Sequence, residues 1–338
     1  MGDRIMTTLF FDHVYIAETG CIAGPLERKG PCGEEIDFCF DDLYCGQKTF
    51  EQAEQNMMKV SVRTLLSKAR VKEDQIDLAV ASDLLNQLGT SHYSFREFDV
   101  PFVGMYGACS NSVLLSTHAA LWVDRGGCHK VIASTSSHQC TAEKQFRYPV
   151  EYGVQKKETT TYTVSGAVSV LFQDQPGAVR CTCATIGRIV DWDFMNSSDM
   201  GTAMAPAAYQ TIMDHFKATQ TGFNDYDLVL TGDLSRIGLA ILKDLFQQDH
   251  ILTEEKLQDC GLMIYDVDSQ PVFCGGSGCA CSGLVMFGSV YEKMKKKQLE
   301  KVLLVATGAL LNPVMCAQKQ SIPCIAHAMV FEAVKEEL

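Results

Sequence analysis

Apolar residues in this chain gather into short runs set between longer stretches of helical spacing. Two runs match each other. Ile76-Asp77-Leu78-Ala79-Val80-Ala81-Ser82-Asp83-Leu84 and Tyr226-Asp227-Leu228-Val229-Leu230-Thr231-Gly232-Asp233-Leu234 are both apolar strands bounded by aspartates. A second pair keeps the same order. Ala108-Cys109-Ser110 opens one helical stretch and Ala280-Cys281-Ser282 another, and these lead to the strand-like runs Lys130-Val131-Ile132-Ala133 and Lys301-Val302-Leu303-Leu304-Val305-Ala306. Two motif pairs in one order predict a duplication, with halves 1–175 and 176–338 packed as a pseudo-twofold pair around a cleft.

The remaining pattern fills in each half. A strand is expected near Phe10 to Ile16, followed by a Gly-, Pro- and acid-rich loop from Glu18 to Asp42 that reads as surface decoration. Thr49 with Gln52 resembles a capping box, and Met57, Val60, Leu65 and Ala69 keep helical spacing to Arg70. Beyond the strand Ile76–Ala81, a Gly-punctuated run from Phe102 to Gly107 approaches a helix over Ser110–Asp124, ended by Gly126-Gly127. A buried strand over Val131–Ser134 gives way to an irregular polar loop, Ser136 to Tyr162, long enough to be functional. Thr163–Phe172 and Ala178–Val190 read as antiparallel strands joined at Asp174-Gln175-Pro176-Gly177. The second half offers a helix over Ala203–Lys217, strand Leu228–Thr231, helix Ser235–Phe246, a Gly-rich helix, strand Val302–Ala306 and a last strand near Ala326–Val334. The expectation is an α/β fold with a mixed, mostly parallel sheet in each half.

Composition narrows the function. With 338 residues, 46% of them hydrophobic, the chain buries a large core, and a net charge of −12 disfavours nucleic acid as a partner. The basic run Lys293 to Lys297 reads as a solvated helix end. Fifteen cysteines, odd in number and mostly inside apolar runs, read as reduced packing residues. Cys181-Thr182-Cys183 and Cys279-Ala280-Cys281 have no Cys or His quartet at zinc spacing, so no structural metal is expected. Cys181 and Cys183, alternating along a strand, are expected on one face. The beginning lacks the long apolar core of a signal peptide, and Pro271 to Tyr291, though uncharged, holds too many glycines and serines to span a membrane.

Cys109 stands where Gly107-Ala108 ends an extended run and a helix begins, a position whose free amides and positive dipole end stabilise a thiolate. The duplicated half, the Gly-Ala-Cys before a helix, the strand Val164 to Leu171 and the Gly-rich Cys274-Gly275-Gly276-Ser277-Gly278 loop together resemble the thiolase-like fold of condensing enzymes. Within it, Thr135 to Pro149, Thr307-Gly308-Ala309-Leu310-Leu311-Asn312-Pro313 and Ser321 to Ala328 closely resemble the stage V sporulation protein AD family of spore formers.

The resemblance implies an α-β-α-β-α layering and a homodimer. It also implies a missing reaction partner. Condensing enzymes pair the cysteine with a His-Asn or His-His couple that stabilises the thioester oxyanion. Where the histidine is expected after Leu228 to Gly232 this chain has Asp233, and near Gly276 the asparagine is absent. The family implies a non-catalytic role: binding pyridine-2,6-dicarboxylate for uptake into the forespore, alongside membrane proteins of the same operon, peripherally at the forespore membrane. No cofactor is implied beyond calcium carried in with the ligand as its chelate, with Asp233 or Glu143 completing the ion's shell. The residues expected at the cleft are Cys109, Ser110, His138, Glu143, Lys144, Arg147, Asp233, Arg236, Ser277, Asn312 and His327. His138 and His327 are candidate replacements for the missing imidazoles or hydrogen-bonded structural histidines. Two other readings stand beside this one: an acyltransferase that loads Cys109 from a thioester, and an assembly scaffold with an empty cleft.

Overall fold

The computed structural model describes residues 7–146 and 156–334. The matched aspartate-bounded runs become Leu78–Ser82 and Leu228–Thr231, each one strand in from the edge of a five-strand set. From edge to centre, the first set runs Phe102–Gly104, Leu78–Ser82, Lys130–Ser137, Gly166–Gln173, Tyr15–Ala23; the second runs Leu257–Asp259, Leu228–Thr231, Lys301–Ala309, Cys324–Ala333, Val179–Ile186. In each set only the fourth strand opposes the others. The innermost strands join the sets through Tyr15 with Arg180 and Ile16 with Val179, antiparallel, as a twofold requires.

Helices cover both outer faces and fill the middle. Phe50–Ala69 packs Met57 and Leu65 onto Ile22, Ile132 and Leu171 of the first set. Met200–Thr219 and Ser235–Gln248 pack Ile212 and Leu242 onto Val229 and Leu303 of the second. Between the sets, Asn111–Asp124 and the helix from Cys279 through Lys295 share one core with Val80, Val131, Val302 and Met329. Up to their last turns, where Trp122, Lys293 and Lys295 are exposed, these central helices have no solvent face, so they are apolar or small all round, and their hydroxyls pair internally, as Ser112 does with Ser282 at 2.7 Å. The layering is the expected α-β-α-β-α.

Four local expectations are corrected. The loop from Glu18 is not decoration: Tyr15–Ala23 is a central strand, and Glu27 beyond it is fully buried, accepting from the Ser165 amide at 2.9 Å and from the Tyr265 hydroxyl. That strand shows no polar alternation because both its faces are covered. Gly20 lies so close to the helix Phe50–Ala69 that a Cβ would stand 2.3 Å from the Ser61 carbonyl. The polar loop after Ser136 holds the helix Gln139–Phe146 and the short strand Tyr162–Thr163, which pairs with Gly276–Ser277. The Pro176-Gly177 signal does not reverse the chain. Gly166–Gln173 and Val179–Ile186 both run antiparallel to Tyr15–Ala23, hence in one direction, and Gly177 is where the chain skirts the Ile16 carbonyl, 2.6 Å from where a Cβ would be. Finally, Cys181 and Cys183 join different cores, because they face Phe331 and Val330 across a register slip that leaves Thr182 between them.

Candidate functional site

Cys109 sits on a tight elbow. Ala108 holds φ +52°, a left-handed conformation that costs a non-glycine residue about 1 kcal/mol and needs support from around it. Asn111 Oδ1 accepts from the Gly107 amide at 2.7 Å, and the Ser110 hydroxyl donates to the Gly107 carbonyl at 2.6 Å. The second half closes the elbow from the other side. Gly308, in the strand Lys301–Ala309, passes so near that a Cβ would meet the Gly107 carbonyl at 2.5 Å.

The thiol is buried at the junction of the halves. Asp233, also buried, projects from the turn after Leu228–Thr231 and accepts from the Thr307 hydroxyl at 2.8 Å, the Gly278 amide at 3.0 Å and the Ser277 hydroxyl at 3.3 Å. The same carboxylate acts on the Cys109 thiol through its charge. Burial, then the Asp233 and Cys279 groups, push Cys109 well above the usual thiol range. The helix start was expected to favour a thiolate; burial beside a carboxylate outweighs it, and the thiol stays protonated. Burial also raises Asp233, against the hydrogen bonds it accepts.

The other residues named from the sequence divide by place. Cys109, Ser110, Asp233 and Ser277 meet at the elbow. His138 is fully buried, its Nε2 2.9 Å from the Leu43 carbonyl and its Nδ1 accepting from the Cys140 amide at 3.2 Å, with burial lowering its pKa. Glu143 accepts from Gln139 at 3.2 Å and pairs with Lys156 at 3.1 Å, while Lys144 pairs with Glu51. Arg147 lies outside the described residues. Arg236 makes an exposed ion pair with Asp268 at 2.8 Å. His327 accepts from the Gly187 amide at 3.2 Å, and burial followed by His118 lowers its pKa to about 4. Asn312 caps the short helix Pro313–Ala317 by accepting from the Val314 and Met315 amides.

An open cavity of about 250 Å³ adjoins the elbow. Leu84 to Leu88 form one wall, Gln145 and Phe146 a second, Leu310 to Pro313 a third, and Tyr106 stands beside them. Leu84 and Phe146 also pack against Cys109, so the sulfur lies one side-chain layer behind the cavity. None of the described lining residues is charged. Of the sequence-named residues only Asn312 lines it; Asn86, Gln87, Tyr106 and Gln145 also line it, and isolated polar side chains of this kind carry no pattern in the sequence. Among the described residues no cluster of three or more His, Cys, Asp or Glu is placed to hold a metal ion, and no helix is long and apolar enough to cross a membrane.

A duplicated, five-layered α/β chain with a cysteine elbow between its halves is a thiolase-like protein. Solved structures agree on the fold: a variant of OleA from Xanthomonas campestris superposes with TM-score 0.60 at 14% identity, covering 95% of this chain and 99% of that one. The 3-oxoacyl-[acyl-carrier-protein] synthase III of Aquifex aeolicus VF5 gives 0.57 at 13%, covering 94% and 99%. At such identities the likeness concerns fold alone. A family model for stage V sporulation protein AD matches residues 4–332, and the stage V sporulation protein AD of Bacillus subtilis (strain 168) is 46% identical over 326 residues, 96% of each chain. The chain belongs to the stage V sporulation protein AD family: it is a sporulation protein on a thiolase-like scaffold.

Proposed function

We propose that this chain is a non-catalytic carrier that takes pyridine-2,6-dicarboxylate into the cavity beside the elbow for uptake into the forespore. The observation that carries the non-catalytic half is Asp233 against Cys109. Burial and then this carboxylate keep the thiol neutral, and the carboxylate would oppose the negative charge of a tetrahedral intermediate, which a condensing site must instead stabilise. The lining supports the ligand class. Tyr106 and Phe146 offer ring faces to a planar heterocycle, and the amides of Asn86, Gln87 and Gln145 offer donors to its carboxylates. An uncharged lining suits the ligand as its neutral one-to-one calcium chelate better than as a bare dianion, whose desolvation nothing there offsets. Calcium is then cargo. The carboxylate of Asp233 is already occupied by hydrogen bonds and that of Glu143 by Gln139 and Lys156, so the ion's shell comes from the ligand and water.

Two partner assignments accompany this reading. Val314 and Met315, exposed next to the Leu310–Pro313 wall, together with exposed Ile189, Trp192 and Met195, suit docking to membrane proteins of the same operon. The edge strand Phe102–Gly104, with Val103 40% exposed, suits pairing with a second copy. Calorimetric titration with dipicolinate, with and without calcium, is expected to give saturable heat, stronger with calcium. No heat and no thermal shift at millimolar ligand, in either condition, would sink the carrier reading and leave the scaffold. The strained elbow that survives at Ala108-Cys109 favours acyl transfer as the second reading. Incubation with acyl thioesters and intact-mass measurement tests it, and a one-to-one adduct abolished by Cys109→Ala would establish it.

A further inference from the structure

Behind the cavity two further carboxylates are buried without an ion-pair partner among the described residues. Glu54, on the helix Phe50–Ala69, accepts from the Ser136 hydroxyl at 2.9 Å and the Thr141 hydroxyl at 2.6 Å. Asp83 accepts from the Leu85 amide at 2.8 Å and from the Ser91 amide and hydroxyl at 2.7 and 2.6 Å. These bonds reach the cavity. The turn that Asp83 ties supplies the Leu84–Leu88 wall, and the helix Gln139–Phe146, tied to Glu54 through Thr141, supplies Gln145 and Phe146. Groups from every neighbouring element face the pair: Thr90 of the helix Gly89–Phe95, Ser136 of the strand Lys130–Ser137, Thr141, and Cys279 of the helix Cys279–Leu284, whose thiol the two acids help raise to about 12 after burial. Tyr106 faces Asp83 as well, its phenol pushed up to about 12 by burial, then by Cys109, Cys279 and Asp83, so no cation is named among these groups.

Ser82 pairs with Thr135, so Asp83 follows beside Ser136, whose hydroxyl donates to Glu54, and two ionised carboxylates cannot share such an enclosure cheaply. Asp83 is held by two fixed amides, which can only donate, so it keeps the charge. The hydroxyls around Glu54 rotate, and can accept from a protonated carboxyl as readily as they donate to an ionised one. We propose that Glu54 and Asp83 hold one proton between them and that this proton keeps the two cavity walls together, making occupancy of the cavity proton-linked. This deepens the carrier reading and rests on it for the identity of the ligand. Burial, then Asp83, push Glu54 up to about 8. Above that pH the second charge is relieved by parting the helix Gln139–Phe146 from the Asp83 turn.

Amide exchange in the ligand-free protein reads the walls directly. Protection at Leu85, Ser91 and Thr141, corrected for intrinsic rate, is expected to fall at least about tenfold between pH 6.5 and 9.0 in the wild type and to hold level in Glu54→Gln. Unchanged wild-type protection overturns the proposal even should the variant fail to fold, and so does an equal loss in the variant. Dipicolinate affinity, its carboxylates ionised throughout this range, is expected to weaken about tenfold per pH unit above about 8 in the wild type only. Parallel curves in the two proteins overturn the link. No binding at any pH, with walls that still loosen in the wild type alone, removes the carrier reading and upholds the shared proton.

Discussion

Asp83 and Asp233 occupy the same position in the two halves, each at the end of a buried strand one in from the sheet edge. Their surroundings have diverged. Asp233 points into the junction of the halves, bound by Thr307, Ser277 and Gly278 from its own half, and its charge acts on Cys109 from the other. Asp83 takes its hydrogen bonds from its own half, ties the turn to Ser91 and faces Glu54. The difference shows how a duplicated residue acquires two jobs through neighbours alone. One carboxylate silences a thiol, and the other organises a cavity wall.

The comparison can be broken at several points, and the largest effect is expected where the halves touch. Gly308→Ala drives a methyl into the Gly107 carbonyl and should cost about 3 kcal/mol in urea unfolding, since the obstacle is backbone. A cost under about 0.5 kcal/mol would mean the elbow does not depend on the second half. Next is Asp233→Asn, which removes the charge beside Cys109 and should speed alkylation by iodoacetamide about tenfold at pH 8, read by intact mass. An unchanged rate would assign the neutral thiol to burial alone.

Asp83's partner gives a stability test of known sign. Folded Glu54 keeps a proton that the unfolded chain releases above about pH 4.5, so the folded state binds more protons and stability falls as pH rises from about 4.5 to about 8. Glu54→Gln should flatten that fall, which has an upper slope of about 1.4 kcal/mol per pH unit, in urea midpoints at pH 5 and 8. For the ligand, Phe146→Ala should weaken dipicolinate about tenfold while Cys109→Ala changes it less than about threefold, because Phe146 lines the cavity and the sulfur lies behind it. The reverse ranking would move the ligand to the elbow. Smallest of all, Arg236→Ala should alter stability by under about 0.5 kcal/mol, its ion pair being exposed.

What the sequence determined by itself is the repeat and everything that depends on near neighbours. The aspartate-bounded strands, the Thr49 cap that accepts from the Gln52 amide at 3.2 Å, and the helix led by Cys109 are all local patterns, and the fold class follows from their order. The duplication even marked Asp83 and Asp233 as equivalents. Only tertiary structure decided what those residues do. The strand Tyr15–Ala23 has no polar face to announce it, since helices cover both sides. The left-handed Ala108 is tolerated because Gly308, two hundred residues later, leaves room for it. The thiol of Cys109 is neutral because the junction of the halves buries it and a buried carboxylate from the other half adds its charge. Burial and long-range electrostatics depend on which distant segments meet, and no window along the chain contains both partners.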